Sequence, residues 1–430
     1  MEDTQWWPPE KLRREQFRFA AKLIAHARAT TSYYGDLLWG RKALDADKLA
    51  DGFWSEIPVL ARATVNAEAD RLLSRRIPEA HGPKDTIYTS GTTGRPIRVV
   101  RTRLALWYWS ALTLRDHHWH RRDLAGTLAV IRTSTKGVAV YPKGARFGAW
   151  GSSDRVFKTG PCVSLNINSR IDEMAEWLGR EDPDYLLTHP TVVARLARHC
   201  LAEGIRFPRL KELQTLSEIL GGEVRALARE AWDVPVSDMY SGREVGYMAL
   251  QCPDHEHYHV QGEAVLLEVV DDAGRPCRPG ETGRVLVTTL HNYAMPLIRY
   301  EIGDYATLGE SCPCGRGLPV LTRIMGRKQN ILHLPGGGEK WTLLSSGDIR
   351  DLMNLAPIRQ YQFAQVETDL LEVRLATARD LSEDEEAAVG NWTTIKFGAD
   401  FRICFVYADE LKRTKAGKFQ DFVCELPEEA

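Results

Sequence analysis

Residues 88–96, Tyr88-Thr89-Ser90-Gly91-Thr92-Thr93-Gly94-Arg95-Pro96, carry the densest local chemistry in this chain. Gly91 and Gly94 let the backbone turn closely around an anion, and the hydroxyls of Ser90, Thr92 and Thr93 can donate hydrogen bonds to phosphate oxygens. The segment is not the GxxxxGK[ST] loop of P-loop NTPases, because the lysine and its spacing are missing. A polar surface turn is the competing reading of any bare Gly/Ser/Thr cluster.

A second constellation joins Cys252-Pro253-Asp254-His255-Glu256-His257-Tyr258-His259 to Cys312-Pro313-Cys314. Two thiolates in a knuckle, a distant cysteine and a nearby histidine satisfy the tetrahedral, soft-ligand preference of Zn²⁺. His255, His257 and His259 all compete for the fourth position. Free cysteines in a loop-rich region are the alternative. Four protein ligands leave no open position, so the expected role is structural.

Such groups need a large, folded support, and the composition allows one. A chain of 430 residues suggests two domains. Hydrophobic residues at 43% and charged residues at 27% have the balance of a soluble globular protein. Lys+Arg total 56 against Asp+Glu 58, so the formal net charge is −2, which argues against a nucleic-acid binder. No apolar run approaches the roughly 20 residues that span a bilayer, and no membrane partner is expected. The first residues lack a signal-peptide pattern, and nothing points the eight cysteines to an oxidising compartment. A cytoplasmic enzyme is the expectation, its oligomeric state open.

The supporting elements can be placed from periodicity. Phe17, Ala20, Leu23, Ile24 and Ala27 fall on one helical face, and residues 70–77 read as a further short helix. Residues 127–132 suit a buried strand. Thr188-His189-Pro190 starts a helix with proline in its first turn, and Val193, Leu196, Ala197 and Cys200 line its buried face. Alternating helices and apolar strands imply an α/β domain. Residues 264–270 and 284–290, joined through Asp272-Ala273-Gly274, read as β-rich structure. A break near Gly326 separates residues 1–326 from residues 327–430, the latter expected to form a small α+β domain. Residues 115–123, rich in histidine and tryptophan, read as helical surface or as support behind a site.

Further motifs follow the first loop in order. They are Ser217-Glu218, then Asp238-Met239-Tyr240-Ser241-Gly242-Arg243-Glu244, then residues 296–304 ending in Asp304. Gly326-Arg327 and Arg413-Thr414-Lys415-Ala416-Gly417-Lys418 complete the series. Together with residues 55–62 and 312–316, they resemble the adenylate-forming superfamily, in its phenylacetate–CoA ligase-like branch. The resemblance implies a large N-terminal domain with α/β subdomains and a β-rich portion, and a small mobile C-terminal domain. It implies ATP-dependent activation of a small, aromatic carboxylic acid as acyl-AMP, then transfer to CoA.

By that resemblance, Ser90, Gly91, Thr92, Thr93 and Gly94 hold phosphates, and Ser217, Glu218, Asp238, Tyr240 and Ser241 form the adenine side. Asp304 accepts the ribose hydroxyls and Arg327 steadies the ribose. Glu244 ligates Mg²⁺ through oxygen. Lys418 carries a positive charge to the reacting phosphate on a mobile domain. The resemblance selects His259 to join Cys252, Cys312 and Cys314 around zinc. Trp150 and His189 are substrate candidates by rough family position.

The chain departs from the family pattern at Ser241, at Gln329 in the hinge, and at Arg243. There a long cation replaces a threonine and can bind phosphate or a substrate carboxylate. These departures keep other acceptors open: a carrier-protein thiol, an amine, or nitrite activated for diazotisation. A zinc-stabilised binding module without catalysis is the alternative of another class. Retention of Glu244, Asp304 and Lys418 speaks against it.

Overall fold

The computed structural model describes all residues except 39–46, 48, 50–52, 89–96, 152–156, 328–330, 343, 345, 413–418 and 427–430. The chain divides into two compact units. The first comprises residues 1–128, 146–163 and 237–324, and the second residues 129–145, 164–236 and 325–430.

The first unit is anchored by the helix Pro9–Thr30, which carries a proline in its first turn and buries Phe17, Ala20, Leu23, Ile24 and Ala27 on one face, as its periodicity requires. That face packs into a core with Val265, Val285, Val287 and Tyr300. Those residues come from strands in the order Val265–Val270, Thr282–Thr289, Tyr300–Leu308, Val320–Arg327, Tyr258–Val260, Gly246–Gln251, Val236–Gly242. Residues 264–290 therefore form the antiparallel hairpin that their alternation and turn residues predict.

Residues 70–77 are not helical. The six-residue helix Arg62–Ala67 precedes that stretch, after which the backbone bonds to other segments: Tyr33 N–H to Arg71 O, Ser74 N–H to Ala294 O and Arg75 N–H to Thr30 O. Leu72 is fully buried at the end of this irregular run. Tertiary partners satisfy the backbone groups that a helix would otherwise pair internally, so propensity gives way.

The helix Arg103–Trp119 begins at Thr102, whose side chain accepts from Ala105 N–H. Its far end corrects the surface reading of residues 115–123. Arg115, Asp116, His117, Trp119 and Arg122 are all buried. Arg122 donates to the Asp116 carboxylate at 2.5 Å, to His117 Nδ1 at 2.9 Å and to Ser237 Oγ at 2.8 Å. Arg115 pairs with Glu263 at 2.7 Å and with Gln261 at 2.8 Å. Burial of charges is tolerable because each is paired and hydrogen-bonded.

Residues near the start of the chain close over this helix. Gln5 Oε1 accepts from Trp119 Nε1 at 2.8 Å and from Arg316 Nε at 3.1 Å. The Arg316 guanidinium lies 4.8 Å from the Trp6 ring and 4.6 Å from the Trp119 ring. Glycine is obligatory at 317, where a Cβ would stand 1.8 Å from the Trp7 carbonyl oxygen.

In the second unit, the strand Tyr185–Thr188 pairs in parallel with Glu212–Leu216. The connecting helix, Pro190–Glu203, has proline at its start and Gly204 in the left-handed region at its end. Val193, Leu196, Ala197 and Cys200 are buried, as expected. Farther along, strands run in the order Arg402–Tyr407, Leu370–Thr377, Ile358–Glu367, Phe422–Cys424, mixing parallel and antiparallel pairs. Phe363, Val373, Leu375, Val389 and Phe397 form a core of their own there. The helix Glu383–Phe397 starts with a capping box between Ser382 and Glu385. Among the described residues, no helix is long and apolar enough to cross a membrane.

Candidate active site

The first unit brings two predicted site residues together from strands that are not adjacent in the sheet. Tyr240, on Val236–Gly242, donates its hydroxyl to Asp304 Oδ2 at 2.7 Å. Asp304 lies on Tyr300–Leu308 and is partly exposed. Asp238, two residues before Tyr240, is buried, and its carboxylate accepts from Tyr258 Oη at 2.7 Å. Gln251 Oε1 takes the Asp238 N–H at 2.9 Å, which fixes the strand beneath Tyr240.

Glu244 follows the turn after Gly242 and is buried. Its Oε1 lies 3.5 Å from Arg62 Nη1, and the same Arg62 nitrogen donates to Tyr300 Oη at 3.3 Å. A single carboxylate of this kind fits Mg²⁺, which keeps waters and substrate phosphate oxygens in its other positions. Arg243 is exposed beside it. Residues 89–96, with Ser90 to Gly94, lie outside the described residues. Their flanks Tyr88 and Arg98 pair across the hairpin of Lys84–Tyr88 with Arg98–Thr102. Gln329 and Lys418 also lie outside the described residues, and of Arg327 only the backbone is described, as the last residue of its strand.

In the second unit, Ser217 holds a left-handed backbone (φ 71°) at the end of Glu212–Leu216. This turn presents Glu218 to three partners. Oε2 accepts from Thr191 N–H at 3.1 Å, Oε1 accepts from Phe419 N–H at 2.6 Å, and His189 Nδ1 lies 3.5 Å from Oε1. His189 precedes the helix Pro190–Glu203 and is buried. Trp150, in the first unit, is buried too, donating Nε1 to Gly126 O at 3.0 Å with its ring edge-on to His117.

Donor atoms within 4.8 Å of one another form two groups among the described residues, Cys252, His257, His259 and Cys312, and Cys252, Asp254 and Cys314. Cys252 Sγ and Cys312 Sγ are 3.9 Å apart, and Cys314 Sγ lies 3.4 Å from His259 Nε2. Tetrahedral zinc with bonds of about 2.3 Å to sulfur and about 2.0 Å to nitrogen sets such separations at about 3.8 Å and about 3.5 Å, and these two pairs match them. Burial holds His259 neutral, its pKa pushed down to about 3, and pushes Cys312 up to about 12. His257 also falls within reach of Cys252, His259 and Cys312, with its buried Nε2 unpaired among the described residues.

One pocket in the first unit escaped the sequence reading. Tyr108, Trp109, Glu244, Tyr247, Thr289 and Asn292 are among its walls, and Trp150 is not. The Trp109 and Tyr247 rings meet at 5.0 Å. His291 stacks flat on Tyr108, centroids 3.8 Å apart and planes within 9°. The only hint in the sequence is that Trp109 and Leu112 lie on one helical face, a spacing shared by any packed helix.

Comparison with known proteins follows from this geometry. Residues 54–294, more than half of the chain, match the family model described as AMP-binding enzyme. The phenylacetate–coenzyme A ligase of Thermus thermophilus is 27% identical over 261 residues, which are 58% of this chain and 55% of that protein. Protein CapK of Staphylococcus aureus is 24% identical over 255 residues, 56% of this chain and 53% of its own. The chain thus matches about half the length of these relatives. A solved 2-hydroxyisobutyryl-CoA ligase, in its postadenylation state with an acyl-AMP, superposes with a TM-score of 0.76 at 16% identity, covering 98% of this chain and 91% of the other. That likeness shows the adenylate-forming fold, with its mixed α/β architecture.

Proposed function

Since the chain belongs to the AMP-binding enzyme family, we propose that it is an ATP-dependent ligase that converts a carboxylic acid to its acyl-AMP and passes the acyl group to CoA. The observation that carries this reading is the Tyr240–Asp304 pair with Glu244 four residues on. In this reading the three residues supply an aromatic face, a ribose acceptor and an oxygen ligand for Mg²⁺. Support also comes from relatives whose names state CoA ligase activity.

In this reading, Tyr240 stacks on the adenine and is held in plane by its bond to Asp304. The remaining lone pairs of Asp304 accept the ribose hydroxyls, and Arg327 steadies them. Ser90 to Gly94 enclose the phosphates with hydroxyl and backbone donors. Magnesium held by Glu244 offsets phosphate charge. Arg243 supplies a further cation toward phosphate or the acid. Lys418 places a positive charge where the acid's oxygen attacks the α-phosphate, so rate comes from positioning and fixed charge. Residues 1–326 form the ATP- and substrate-binding domain and residues 327–430 the mobile one. The zinc cluster of Cys252, Cys312, Cys314 and His259 holds the strand Tyr258–Val260 against its neighbours and takes no part in the chemistry. The enzyme works in the cytoplasm.

Exchange of labelled pyrophosphate into ATP, across a panel of carboxylic acids with Mg²⁺, tests the proposal. Exchange that needs both the acid and Mg²⁺ is the expected result. An absence of exchange with every acid, together with no ATP binding by calorimetry, overturns it in favour of a non-catalytic module.

A further inference from the structure

We propose that the pocket walled by Tyr108, Trp109, Tyr247, Thr289, His291 and Asn292 receives an acid with a second hydrogen-bonding group, a hydroxy- or amino-substituted carboxylic acid, whose donor those last three residues read. The inference rests on the adenylation reading above and names the substrate class for it.

Three acceptors converge on the pocket wall. Asn292 is 4% exposed, and its amide nitrogen donates to Val100 O at 3.0 Å and to Met295 O at 3.3 Å. Both carbonyls can only accept, so the amide is fixed in that sense and Oδ1 is committed to the other side. That buried Oδ1 has no partner among the described residues, and neither does the buried Oγ1 of Thr289, a residue 5% exposed. Both residues line the pocket.

His291 adds the third. Its Nε2 lies 2.7 Å from Glu263 O and must therefore be the protonated nitrogen. Burial keeps the ring neutral, so Nδ1 carries a lone pair. The ring is clamped flat on Tyr108, with the Phe19 ring 4.9 Å away at 69°. A clamped ring and a fixed amide cannot turn away from the cavity they line.

A plain hydrocarbon or unsubstituted aryl group meets only the apolar part of this wall. Such an occupant returns no hydrogen bond to Oδ1 or Oγ1, which are buried and have no partner among the described residues. An occupant bearing an O–H or N–H supplies such bonds. Trp109 and Tyr247 leave flat apolar surface for the rest of the molecule, and Glu244 lines the same pocket, so the carboxyl group is expected to point toward it. A site built around a substrate donor discriminates strongly against the analogue that lacks it.

The test uses the full chain, Mg²⁺ and matched pairs of acids: benzoate with its hydroxy and amino forms, phenylacetate with hydroxyphenylacetate, and butyrate with 3-hydroxybutyrate. Pyrophosphate exchange is expected to favour the donor-bearing member of at least one pair by about 100-fold or more in kcat/KM. Thr289→Val should lower that ratio by about ten-fold, Thr289→Ser should restore it, and His291→Phe, which keeps the stack on Tyr108, should lower it independently. Equal exchange by both members of every pair overturns the inference and leaves adenylation standing. A preference unchanged in Thr289→Val and His291→Phe, with folding verified by circular dichroism, also overturns it. Exchange with no acid at all is a different failure, that of the adenylation reading itself.

Discussion

The backbone N–H of Phe419 donates to Oε1 of Glu218 at 2.6 Å. Glu218 also takes the N–H of Thr191 through Oε2, at 3.1 Å, and its side chain is 4% exposed. Phe419 directly follows Lys418 in sequence. By resemblance, Glu218 belongs to the adenine side. Its contacts make it a dock for residues around 419.

Glu218→Gln should weaken this dock, because the amide NH₂ must face one of two N–H donors. A charge-assisted hydrogen bond contributes about 1.5–3 kcal/mol, so pyrophosphate exchange should fall by about ten-fold or more. Faster protease cleavage between residues 411 and 420 should accompany it. An unchanged exchange rate with unchanged cleavage removes the dock from the mechanism.

Lys418→Ala should slow pyrophosphate exchange by about 10²–10³-fold, the usual cost of losing one preorganised charge at a transition state. Chemically prepared acyl-AMP should bypass the defect and yield acyl-CoA at the wild-type rate. Equal exchange in wild type and variant would show Lys418 to be an ordinary surface lysine.

Zinc should be found at about one ion per chain in protein purified without chelator. His259→Ala and Cys252→Ser should lose it and lower Tm. His257→Ala should retain it, since His259 Nε2 is the nitrogen that lies against Cys314 Sγ, at 3.4 Å. The reverse pattern for the two histidines moves the fourth ligand to His257.

Acid should destabilise the first unit before carboxylates titrate. Burial, above all, pushes His117 and His291 down to about 4 from an ordinary 6.5. Between those values the unfolded chain binds protons that the folded chain does not. Stability is therefore fully present above about pH 6.5, and it falls as pH drops toward about 4. A Tm series over that range checks the decline, and His291→Phe should flatten it. Nitrogen chemical shifts that report a protonated His291 at pH 6 would contradict the assignment.

Glu385 offers a separate titration in the second unit. Its bond from Arg379, at 2.7 Å to Oε1, and the Ser382 N–H at 2.8 Å to Oε2 hold its pKa down to about 2. The capping contribution is present above the ordinary carboxyl value and is lost as pH falls toward about 2. Glu385→Gln should lower Tm at pH 7 and match wild type near pH 2.

Much of this architecture was legible because period and punctuation agree. The helix Pro9–Thr30 shows one apolar face, and His189-Pro190 marks a helix start that Gly204 ends. The motif order pointed to Tyr240 and Asp304, which meet in the structure. Asp116, His117 and Arg122 misled because polar residues on a helix read as solvated, whereas here they neutralise one another in the interior. Residues 70–77 misled because their backbone partners, Thr30, Tyr33 and Ala294, are remote in sequence. Thr289 and Asn292 were invisible for a different reason. What distinguishes them is an unpaired oxygen, and only coordinates reveal which polar groups lack a partner.

The clasp of Gln5 and Trp6 on Arg316 also sets a timetable. The two ends of the Gln5–Arg316 bond are 311 residues apart. At roughly 5–20 residues per second, a ribosome needs about 15–60 s to deliver the second end after the first. Throughout that interval Gln5 and Trp6 lack the Arg316 side chain that finally packs on them, although Phe17 of the following helix already has Trp54. The nascent chain must therefore be sheltered, or must collapse provisionally and reopen. Substitutions at Arg316 should then appear first as poor yield from the cell, with the protein that does fold nearly normal in activity.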